Sequence, residues 1–325
     1  MMFIRSEFCG FGHYLPSKIL TNDDLSHMVE TSDEWIRTRT GIASRHISEG
    51  ESTSVMAGKA ISMAIANAGL SSQDVDLLIL ATVTPDNTTP STAAKIAGNL
   101  GFKAGVPAFD ISAACSGFVY ALTLADNMIR LGQVKTAVIA GAERLSSIVN
   151  WQDRNTCVLF GDGAGAVVLR AKEGKGSADD TGVLSTCIFA DGGQYEHLRT
   201  DGGVSTTQKA GFVIMDGKEV FKHAVVSLSQ AAENAMKQAH IHKENIDWLL
   251  PHQANIRIIE SVGERLEIAP EKVIVTVDHH GNTSAASIPL ALSENFALGR
   301  LHKGDVIVLT AMGAGFTWGG AVVRL

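Results

Sequence analysis

The sequence has no long hydrophobic run and no closely spaced cysteines, and each absence excludes a class of protein. No apolar segment reaches the roughly 18 residues that a transmembrane helix needs. The four cysteines stand far apart without a CxxC pair, which predicts reduced intracellular thiols rather than disulfides or a zinc site. Arg5 and Glu7 occupy positions where a signal peptide would have its apolar core. We therefore expect a soluble cytoplasmic protein that does not cross a membrane.

An excess of basic charge is also missing. The chain carries 27 Lys and Arg against 34 Asp and Glu, a formal net charge of −7, which argues against a nucleic-acid partner. Only 7 residues are proline, and 45% are hydrophobic, so disordered, collagen-like and coiled-coil chains are excluded. At 325 residues, the chain is long enough for one large domain or two of average size.

Strand-like and helix-like segments alternate along the chain. In the predicted helices, apolar residues recur every three or four positions, and Gly132 is expected to end the second one. This alternation predicts an α/β fold with largely parallel central strands. The clearest strands are 75–83, 106–112, 136–142 and 164–170, and the clearest helices are 52–69 and 117–132.

Four segments in the first half of the chain have similar partners, in the same order, in the second half. Such an ordered echo predicts a duplicated α/β unit, with the seam near 171–180 and halves of 1–172 and 173–325. A duplicated pair would bring matching turns together at a central seam, where a site is expected. The pairs are VDLLILATVTP with IDWLLPHQAN, VPAFDISAACSG with VIVTVDHHGNTSAAS, AVIAGAE with VIVLTAMGAG, and GAGAVVLR with GGAVVRL.

Cys115 is the first candidate for chemistry. It follows a predicted strand and immediately precedes a predicted helix in FDISAACSG. The positive end of a helix dipole stabilises a thiolate and lowers the pKa of the thiol. From its position alone, Cys115 is equally well explained as a nucleophile and as a buried structural cysteine. The other three cysteines do not precede a predicted helix in this way.

Two further polar residues end apolar strands. His252 follows a strand and a proline in LLPHQAN, so we expect it to line a cleft, while Asn282 in HHGNTSAAS could be a plain turn or a helix cap. His279 and His280 suggest a metal, but no third or fourth ligand has suitable spacing, and no metal is predicted. The Gly-rich loops at 160–166, 191–193, 201–203 and 311–320 match no phosphate-binding fingerprint, so they predict close backbone approach around a narrow site.

Together, the Cys, His and Asn motifs resemble those of the β-ketoacyl-acyl-carrier-protein synthase III family. The segments TSDEWIRTRTGI, FGDGAGAVVL, VFKHA and GAGFTWGGAVVR resemble further family segments in the same order, so the resemblance covers the full chain. It implies a thiolase-like fold of two duplicated halves in five αβαβα layers, and a homodimer.

The family's chemistry is a decarboxylative Claisen condensation. An acyl-CoA primer would acylate Cys115, and malonyl-acyl-carrier-protein would then lose CO2 to give a carbanion that attacks the acyl group. His252 and Asn282 would donate hydrogen bonds to the thioester oxygen of the carbanion, and the backbone N–H groups of Cys115 and Ala314 would hold the second oxyanion. Acyl-CoA is a substrate here, and no permanently bound cofactor is implied.

The resemblance also implies binding residues for the substrates. Trp35 and Arg154 would sandwich the adenine of CoA, with Arg39 near the phosphates and Thr31 close by. Three residues would line the pantetheine tunnel: Gly217, Phe221 and Asn255. Three others would dock the acyl carrier protein: Lys222, Arg257 and Arg265.

The sequence departs from the family at three positions. Glu264 reverses one charge of a basic pair, which weakens the case for part of the docking surface. Thr89 replaces a bulky Phe of acetyl-specific members, which predicts a wider or longer acyl pocket. Ala314 replaces a common Gly and would be strained if the position required a positive φ.

Other classes fit the residues less well. The C-terminal loop AMGAGFTWGG lacks the second cysteine of thiolases, the segment TSDEWIRTRTGI speaks against plant-type polyketide synthases, and Cys115 lacks a papain-type signature. A carrier-protein-binding scaffold without activity would be favoured if Cys115 failed to acylate.

Overall fold

The computed structural model describes residues 3–325 and contains two central β-sheets covered by helices. The strands are β1 (Phe3–Tyr14), β2 (Lys18–Thr21), β3 (Ser44–Ile47), β4 (Leu77–Ala81), β5 (Ala108–Ile111), β6 (Thr136–Glu143), β7 (Gly163–Gly174), β8 (Gly182–Ala190), β9 (Leu198–Thr200), β10 (Val213–Met215), β11 (Trp248–Pro251), β12 (Val306–Gly313) and β13 (Thr317–Arg324). The helices are α1 (Asn22–Ser26), α2 (Asp33–Thr40), α3 (Thr53–Asn67), α4 (Thr92–Asn99), α5 (Gly117–Arg130), α6 (Arg154–Cys157), α7 (Gly217–Ala239), α8 (Ile256–Arg265), α9 (Val277–His280) and α10 (Ser287–Ala297).

The two sheets have matching strand orders. The first runs β1-β7-β6-β4-β5 and the second runs β8-β13-β12-β11. Beside β11, Leu249 makes a parallel bridge to Val273, in the place that β5 takes beside β4. The four repeated sequence motifs occupy equivalent places in the two sheets, so the predicted duplication is confirmed.

The helices form three layers around the two sheets. Helices α3 and α4 cover the outer face of the first sheet, and α7 and α8 cover the outer face of the second. Between the sheets lie α5 and α10, each of which contacts strands of both. The predicted five-layer αβαβα arrangement is therefore confirmed.

The expectation of largely parallel central strands is only partly right. β4 is parallel to both neighbours and β11 is parallel to β12, but β7 and β13 run antiparallel to theirs. A parallel pair needs a crossover, usually a helix, on the face of the sheet. The link from β6 to β7 contains only short helical turns, a 3₁₀ turn at Leu145–Ser147 and the four-residue α6, and a three-residue turn joins β12 to β13, so the chain turns back.

Helix α5 directly follows the turn that contains Cys115, and it forms where the spacing of apolar residues predicted a helix. Phe118, Leu122, Ala125 and Ile129 follow a helical spacing and are completely buried between the sheets. Gly132 has a φ of +70° just beyond the helix end, which is the left-handed conformation that glycine provides at low cost. The strand β5 and helix α5 thus present the residues between them at the centre of the molecule.

The division into halves at 172/173 falls near the end of β7, which continues to Gly174. The exact boundary stays a prediction. Within residues 3–325, none of the helices has the length and apolar character needed to span a membrane.

Candidate active site

One cavity of about 980 Å³ receives residues from both halves of the molecule. Cys115 reaches it from the turn after β5, His252 from the end of β11, and Asn282 from the loop after α9. The duplicated strands therefore bring the three predicted catalytic side chains to one place. The predicted residues that line this cavity are Trp35, Arg39, Cys115, Gly217, Phe221, His252, Asn255, Asn282 and Ala314.

Cys115 lies in a single 3₁₀ turn, Ala114–Ser116, directly before α5. The preceding Ala114 has a φ of +46°, a strained conformation for a residue with a side chain. Burial raises the pKa of the Cys115 thiol to about 11. Desolvation is the largest cause of this rise, and a hydrogen bond with Ser284 offsets part of it. The lowering expected from the helix dipole stays a prediction.

His252 is held as a neutral hydrogen-bond donor. Its Nδ1 lies 2.7 Å from the hydroxyl oxygen of Ser287, which also accepts from the N–H of Gln253 at 3.3 Å. The Ser287 hydroxyl can then donate to Nδ1, which leaves the proton of the neutral ring on Nε2. Burial lowers the pKa of His252 to about 3, so the ring is uncharged at neutral pH.

Asn282 is fixed with its amide nitrogen free to donate. Its side-chain oxygen accepts from the N–H of Ser284 at 2.9 Å. Its backbone exchanges hydrogen bonds with the segment before β7, donating to Leu159 and accepting from Gly161. The structure thus places Asn282 in the site and not in a plain solvent-exposed turn.

Two of the Gly-rich loops, 160–166 and 311–320, provide the predicted close backbone approach at the site, whereas a Cβ on Gly192 of the loop at 191–193 would meet nothing within 4 Å. A Cβ on Gly161 would come within 2.5 Å of the His280 carbonyl oxygen. A Cβ on Gly313 would come within 2.4 Å of the Cys115 nitrogen, so this loop lies directly against the nucleophile turn. Ala314 is not among the described residues with positive φ, and the strain considered for it does not arise, because Gly315 adopts the unusual φ of +135°.

The predicted adenine residues form a stack at the mouth of the cavity. The guanidinium carbons of Arg39 and Arg154 lie 4.4 and 4.8 Å from the centre of the Trp35 ring. Arg154 also donates to the Glu30 carbonyl oxygen at 2.9 Å. A purine between Trp35 and Arg154 requires the arginine to swing away. Arg154 and Thr31 do not line the cavity, and Thr31 has a buried hydroxyl with no partner.

The predicted pantetheine residues lie where α7 and α8 meet the cavity. Gly217 begins α7, and the ring of Phe221 is exposed one turn later. Asn255 caps α8 by accepting from the N–H of Arg257 at 2.9 Å, and its amide donates to the Arg39 carbonyl oxygen at 3.0 Å. The same side chain therefore links the beginning of α8 to the segment that carries Trp35.

The predicted docking residues are exposed on the same two helices. Lys222 follows Phe221 on α7 and lies 3.4 Å from Glu219, while Arg257 and Arg265 lie at the two ends of α8. Glu264 is exposed beside Arg265. None of the three basic residues lines the cavity, so they belong to its surroundings.

Thr89 is exposed and does not line the cavity of its own chain. It belongs to the loop between β4 and α4, whose first helical N–H groups are held by Asp110 of β5 at 2.7 Å each. A place for Thr89 in an acyl pocket therefore requires a second copy of the chain.

A third candidate metal ligand lies beside the paired histidines. Glu294 of α10 brings a carboxylate within 4.8 Å of ligand atoms of His279 and His280. Spacing along the chain gave no sign of this residue because it comes from the next helix. His279 bridges Asp278 at 2.8 Å and Glu294 at 3.1 Å, and these hydrogen bonds raise its pKa to about 10. The charged imidazolium of His279 therefore already pairs with the carboxylates of Asp278 and Glu294.

Sequence reasoning missed the residues that orient the site. Ser287, Ser284 and Gly313 act through contacts with residues that are distant in the chain, and Glu143 is a carboxylate at the end of an otherwise apolar strand. Only Gly313 had a signal, as part of a Gly-rich loop. The serines belong to a run of small residues that gives no indication of which hydroxyl points where.

Comparisons with known proteins agree on one family. Residues 109–192 match the model of 3-oxoacyl-[acyl-carrier-protein] synthase III, and residues 236–325 match the model of its C-terminal region. A β-ketoacyl-[acyl-carrier-protein] synthase III of Rhodospirillum centenum is 56% identical over 99% of both chains. The crystal structure of 3-oxoacyl-[acyl-carrier-protein] synthase III from Aquifex aeolicus superposes with a TM-score of 0.93 at 46% identity, covering 98% of this chain and 100% of that one. A priming β-ketosynthase of the R1128 polyketide pathway has a TM-score of 0.91 at 32% identity, covering 99% of this chain and 96% of that one.

Proposed function

This chain belongs to the β-ketoacyl-[acyl-carrier-protein] synthase III family, and we propose that it condenses an acyl-CoA primer with malonyl-acyl-carrier-protein. The products are a 3-oxoacyl-acyl-carrier-protein, CO2 and free CoA, and the reaction begins fatty-acid synthesis. One observation carries the proposal: Cys115, His252 and Asn282 meet in a single cavity whose mouth bears an aromatic residue and arginines.

Cys115 takes the acyl group in the first half-reaction. Its sulfur attacks the thioester carbonyl, and the N–H groups of Cys115 and Ala314 stabilise the resulting oxyanion. The contact of Gly313 with the Cys115 nitrogen places the loop of Ala314 beside this turn. Exchange of one thioester for another then releases CoA at little cost in free energy.

His252 and Asn282 act in the second half-reaction. Loss of CO2 from the malonyl group leaves negative charge on the thioester oxygen, and two neutral N–H donors stabilise it without protonating the carbanion. The low pKa of His252 favours this role, since a charged imidazolium would be an acid next to a carbanion. The carbanion then attacks the acyl-Cys115 carbonyl and frees the thiolate.

The mouth of the cavity suits the nucleotide of CoA. Trp35 and Arg154 offer a flat ring and a guanidinium to adenine, and Arg39 offers positive charge to the phosphates. Gly217, Phe221 and Asn255 lead inward along the pantetheine arm. Thr31 stands at the start of the same segment.

Trp35→Ala is expected to raise the KM for acyl-CoA while leaving kcat nearly unchanged. The indole would contact adenine far from the reacting carbon, so it contributes equally to the ground and transition states. Steady-state kinetics with acetyl-CoA measure the effect, and a pantetheine thioester that lacks the nucleotide is the control, since its KM should not change. A KM for acyl-CoA equal to that of the wild type would show that adenine binds elsewhere.

The acyl carrier protein is proposed to dock on Lys222, Arg257 and Arg265. These residues present positive charge beside the tunnel entrance, and the partner's phosphopantetheine arm would enter past Phe221. Glu264 opposes an acidic partner at one end of this surface.

A homodimer is proposed through the outer edge of β5. This strand ends the first sheet, and all four of its residues are half-buried in the single chain. An unpaired strand edge is a template for pairing with another strand. The loop of Thr89 lies beside that edge. In the dimer, Thr89 of one copy would therefore border the acyl pocket of the other copy and leave space there for a longer acyl chain.

The compartment proposed is the cytoplasm, because a free thiol is the nucleophile. All four cysteines of the chain are free in the structure, and a reducing compartment keeps such thiols active.

Product formation tests the proposed function. Purified protein, acetyl-CoA and malonyl-acyl-carrier-protein should yield 3-oxobutyryl-acyl-carrier-protein, identified by mass spectrometry, with one CO2 released per product. Cys115→Ser should yield none, because serine lacks a thiolate at neutral pH. Product formation by Cys115→Ser at the wild-type rate would refute the assigned chemistry.

A further inference from the structure

A buried carboxylate that the proposed mechanism does not use lies behind the nucleophile. Glu143 ends β6 and is completely buried. Its carboxylate accepts hydrogen bonds from Thr84 Oγ1 at 2.7 Å, Val83 N–H at 3.1 Å, Thr82 Oγ1 at 3.2 Å and Ser284 Oγ at 3.3 Å. These donors are all neutral. An ionised carboxylate that is buried without a cation is costly, and such groups are concentrated at functional sites.

Ser284 connects this carboxylate to the nucleophile. Its hydroxyl donates to Glu143 Oε1 at 3.3 Å, and its turn packs against the turn of Cys115 in the same cavity. A hydrogen bond between Ser284 and the Cys115 sulfur lowers the pKa of the thiol. Since the hydroxyl carries one proton, it serves the carboxylate or a thiolate but not both at once. Its φ of +50° is strained for a non-glycine residue, and its N–H is fixed on Asn282. These contacts hold Ser284 between the buried carboxylate and the turn of the nucleophile.

The other charged groups near Glu143 have different partners. Asp162 precedes Gly163, the strand partner of Glu143, but its carboxylate accepts from Ser48 and Ser146. Arg144 is the next residue along the chain and interacts with the charge of Asp162. His252 lines the same cavity as Cys115. The charge of Glu143 raises the pKa of the Cys115 thiol.

We infer that Glu143 accepts the thiol proton of Cys115, through the hydroxyl of Ser284, as the sulfur attacks the acyl thioester. This assignment rests on the proposed function for its substrate but not for its geometry. It gives the reaction a proton acceptor that is separate from His252, so that His252 remains a neutral donor throughout.

Protons and electron pairs balance over the two half-reactions. During acylation, the Cys115 S–H proton passes to Ser284 Oγ while the Ser284 hydroxyl proton passes to Glu143. The new S–C bond forms, and the C–S bond to CoA breaks with its electron pair on the CoA sulfur, which takes the one proton that the overall reaction draws from the solvent. During condensation, the carbanion forms the new C–C bond, the S–C bond of acyl-Cys115 breaks, and the Cys115 thiolate recovers the proton of Glu143 through Ser284.

The Cys115 thiol is a weaker acid than the Glu143 carboxyl, so its proton moves to Glu143 only as the sulfur bonds to the acyl carbon. Burial raises the pKa of Glu143 to about 7 and that of the Cys115 thiol to about 11, and it lowers the pKa of His252 to about 3. Glu143 is therefore a stronger base than His252 in the free protein. Only the ionised carboxylate can accept the proton, so the rate should rise as the pH rises through about 7 and level off above it.

The test is the pH profile of Cys115 alkylation by iodoacetamide, followed by mass spectrometry of the peptide that contains Cys115. We expect Glu143→Gln to slow alkylation at pH 7.5 at least tenfold and to remove the rise near pH 7. Ser284→Ala, which leaves the carboxylate in place, should give the same profile. Asp162→Asn is the matched control, since Asp162 is also completely buried but its hydrogen bonds do not lead to Cys115.

The opposite sign of effect would overturn the inference. If Glu143 merely repelled the thiolate by its charge, Glu143→Gln would make alkylation faster at pH 7.5, and an unchanged rate would equally exclude a relay. A slow Glu143→Gln protein with a normal Ser284→Ala profile would exclude Ser284 as the link. If Glu143→Gln fails to fold, the pH profile of alkylation in Ser284→Ala tests the inference on its own, and a wild-type profile there overturns it.

Iodoacetamide separates this inference from the proposed function. The reagent needs the nucleophile and its proton acceptor but neither CoA nor a carrier protein. A normal relay profile without condensation would refute the proposed substrates alone, whereas condensation without the relay profile would refute the inference alone. Acylation by acetyl-CoA in the same variants should then follow the same pH profile as alkylation.

Discussion

His252→Ala and Asn282→Ala are each expected to suppress malonyl decarboxylation at least about a hundredfold while sparing acylation of Cys115. Both side chains are held by protein contacts that leave an N–H directed to the cavity. The Ser287 hydroxyl donates to His252 Nδ1, and the side-chain oxygen of Asn282 accepts from the Ser284 N–H. Removal of either N–H takes away a donor that is needed only when charge develops on the malonyl thioester oxygen. The expected loss is therefore in the rate of the second half-reaction.

Two assays separate the half-reactions. Release of CO2 from malonyl-acyl-carrier-protein measures decarboxylation, and mass gain with acyl-CoA alone measures acylation. Asn282→Asp is the matched variant, because it keeps the size of the side chain but replaces the donor with an acceptor, and it should be as defective as Asn282→Ala. Lost acylation with normal CO2 release would reverse the roles assigned to these residues.

Gly313→Ala is expected to reduce acylation of Cys115 at least about a hundredfold. The added Cβ would come within 2.4 Å of the Cys115 nitrogen and 2.9 Å of the Ala114 Cβ. The nitrogen belongs to the turn that aims the thiol, and its N–H is one of the two donors proposed for the acyl oxyanion. The turn must shift to admit the methyl group, which spoils both the donor and the aim of the sulfur.

Gly98→Ala is the control for this prediction. Gly98 lies within α4, and a Cβ there would meet nothing within 4 Å, so this variant should acylate at the wild-type rate. Circular dichroism of both variants checks that the fold is retained. Wild-type acylation by Gly313→Ala would show that the loop of Ala314 does not lie against the nucleophile in solution.

The fold was predictable from local patterns where the two halves repeat. The segment 75–83 contains an unbroken apolar run at 77–81, and 117–132 has a clear helical period, so β4 and α5 formed as expected. Strand β1 was not predicted, because Arg5 and Ser6 interrupt the pattern of apolar residues. In the structure both are buried, Arg5 on Asp180 at 3.0 Å and Ser6 on Asp126 at 2.7 Å. Partners more than a hundred residues away make this polar strand possible.

The candidate site was predictable in its reactive residues and not in their support. Cys115 and His252 each follow a strand, Asn282 follows the short helix α9, and all three stand in distinctive motifs. Glu143 and Ser284 are 141 residues apart, and no local rule connects them. The pKa of Cys115 illustrates the same limit, since the helix position is visible in the sequence but the burial that raises the pKa of the thiol is not.

The most direct measurement is the intact mass of the protein after incubation with acyl-CoA of several chain lengths and no carrier protein. The wild type should gain the mass of one acyl group, located on the peptide that contains Cys115, and Cys115→Ser should gain none. The chain lengths that react would also report whether the pocket is as wide as Thr89 predicts. A wild-type protein that gains no mass with any acyl-CoA, or a Cys115→Ser protein that gains it equally, would contradict the account.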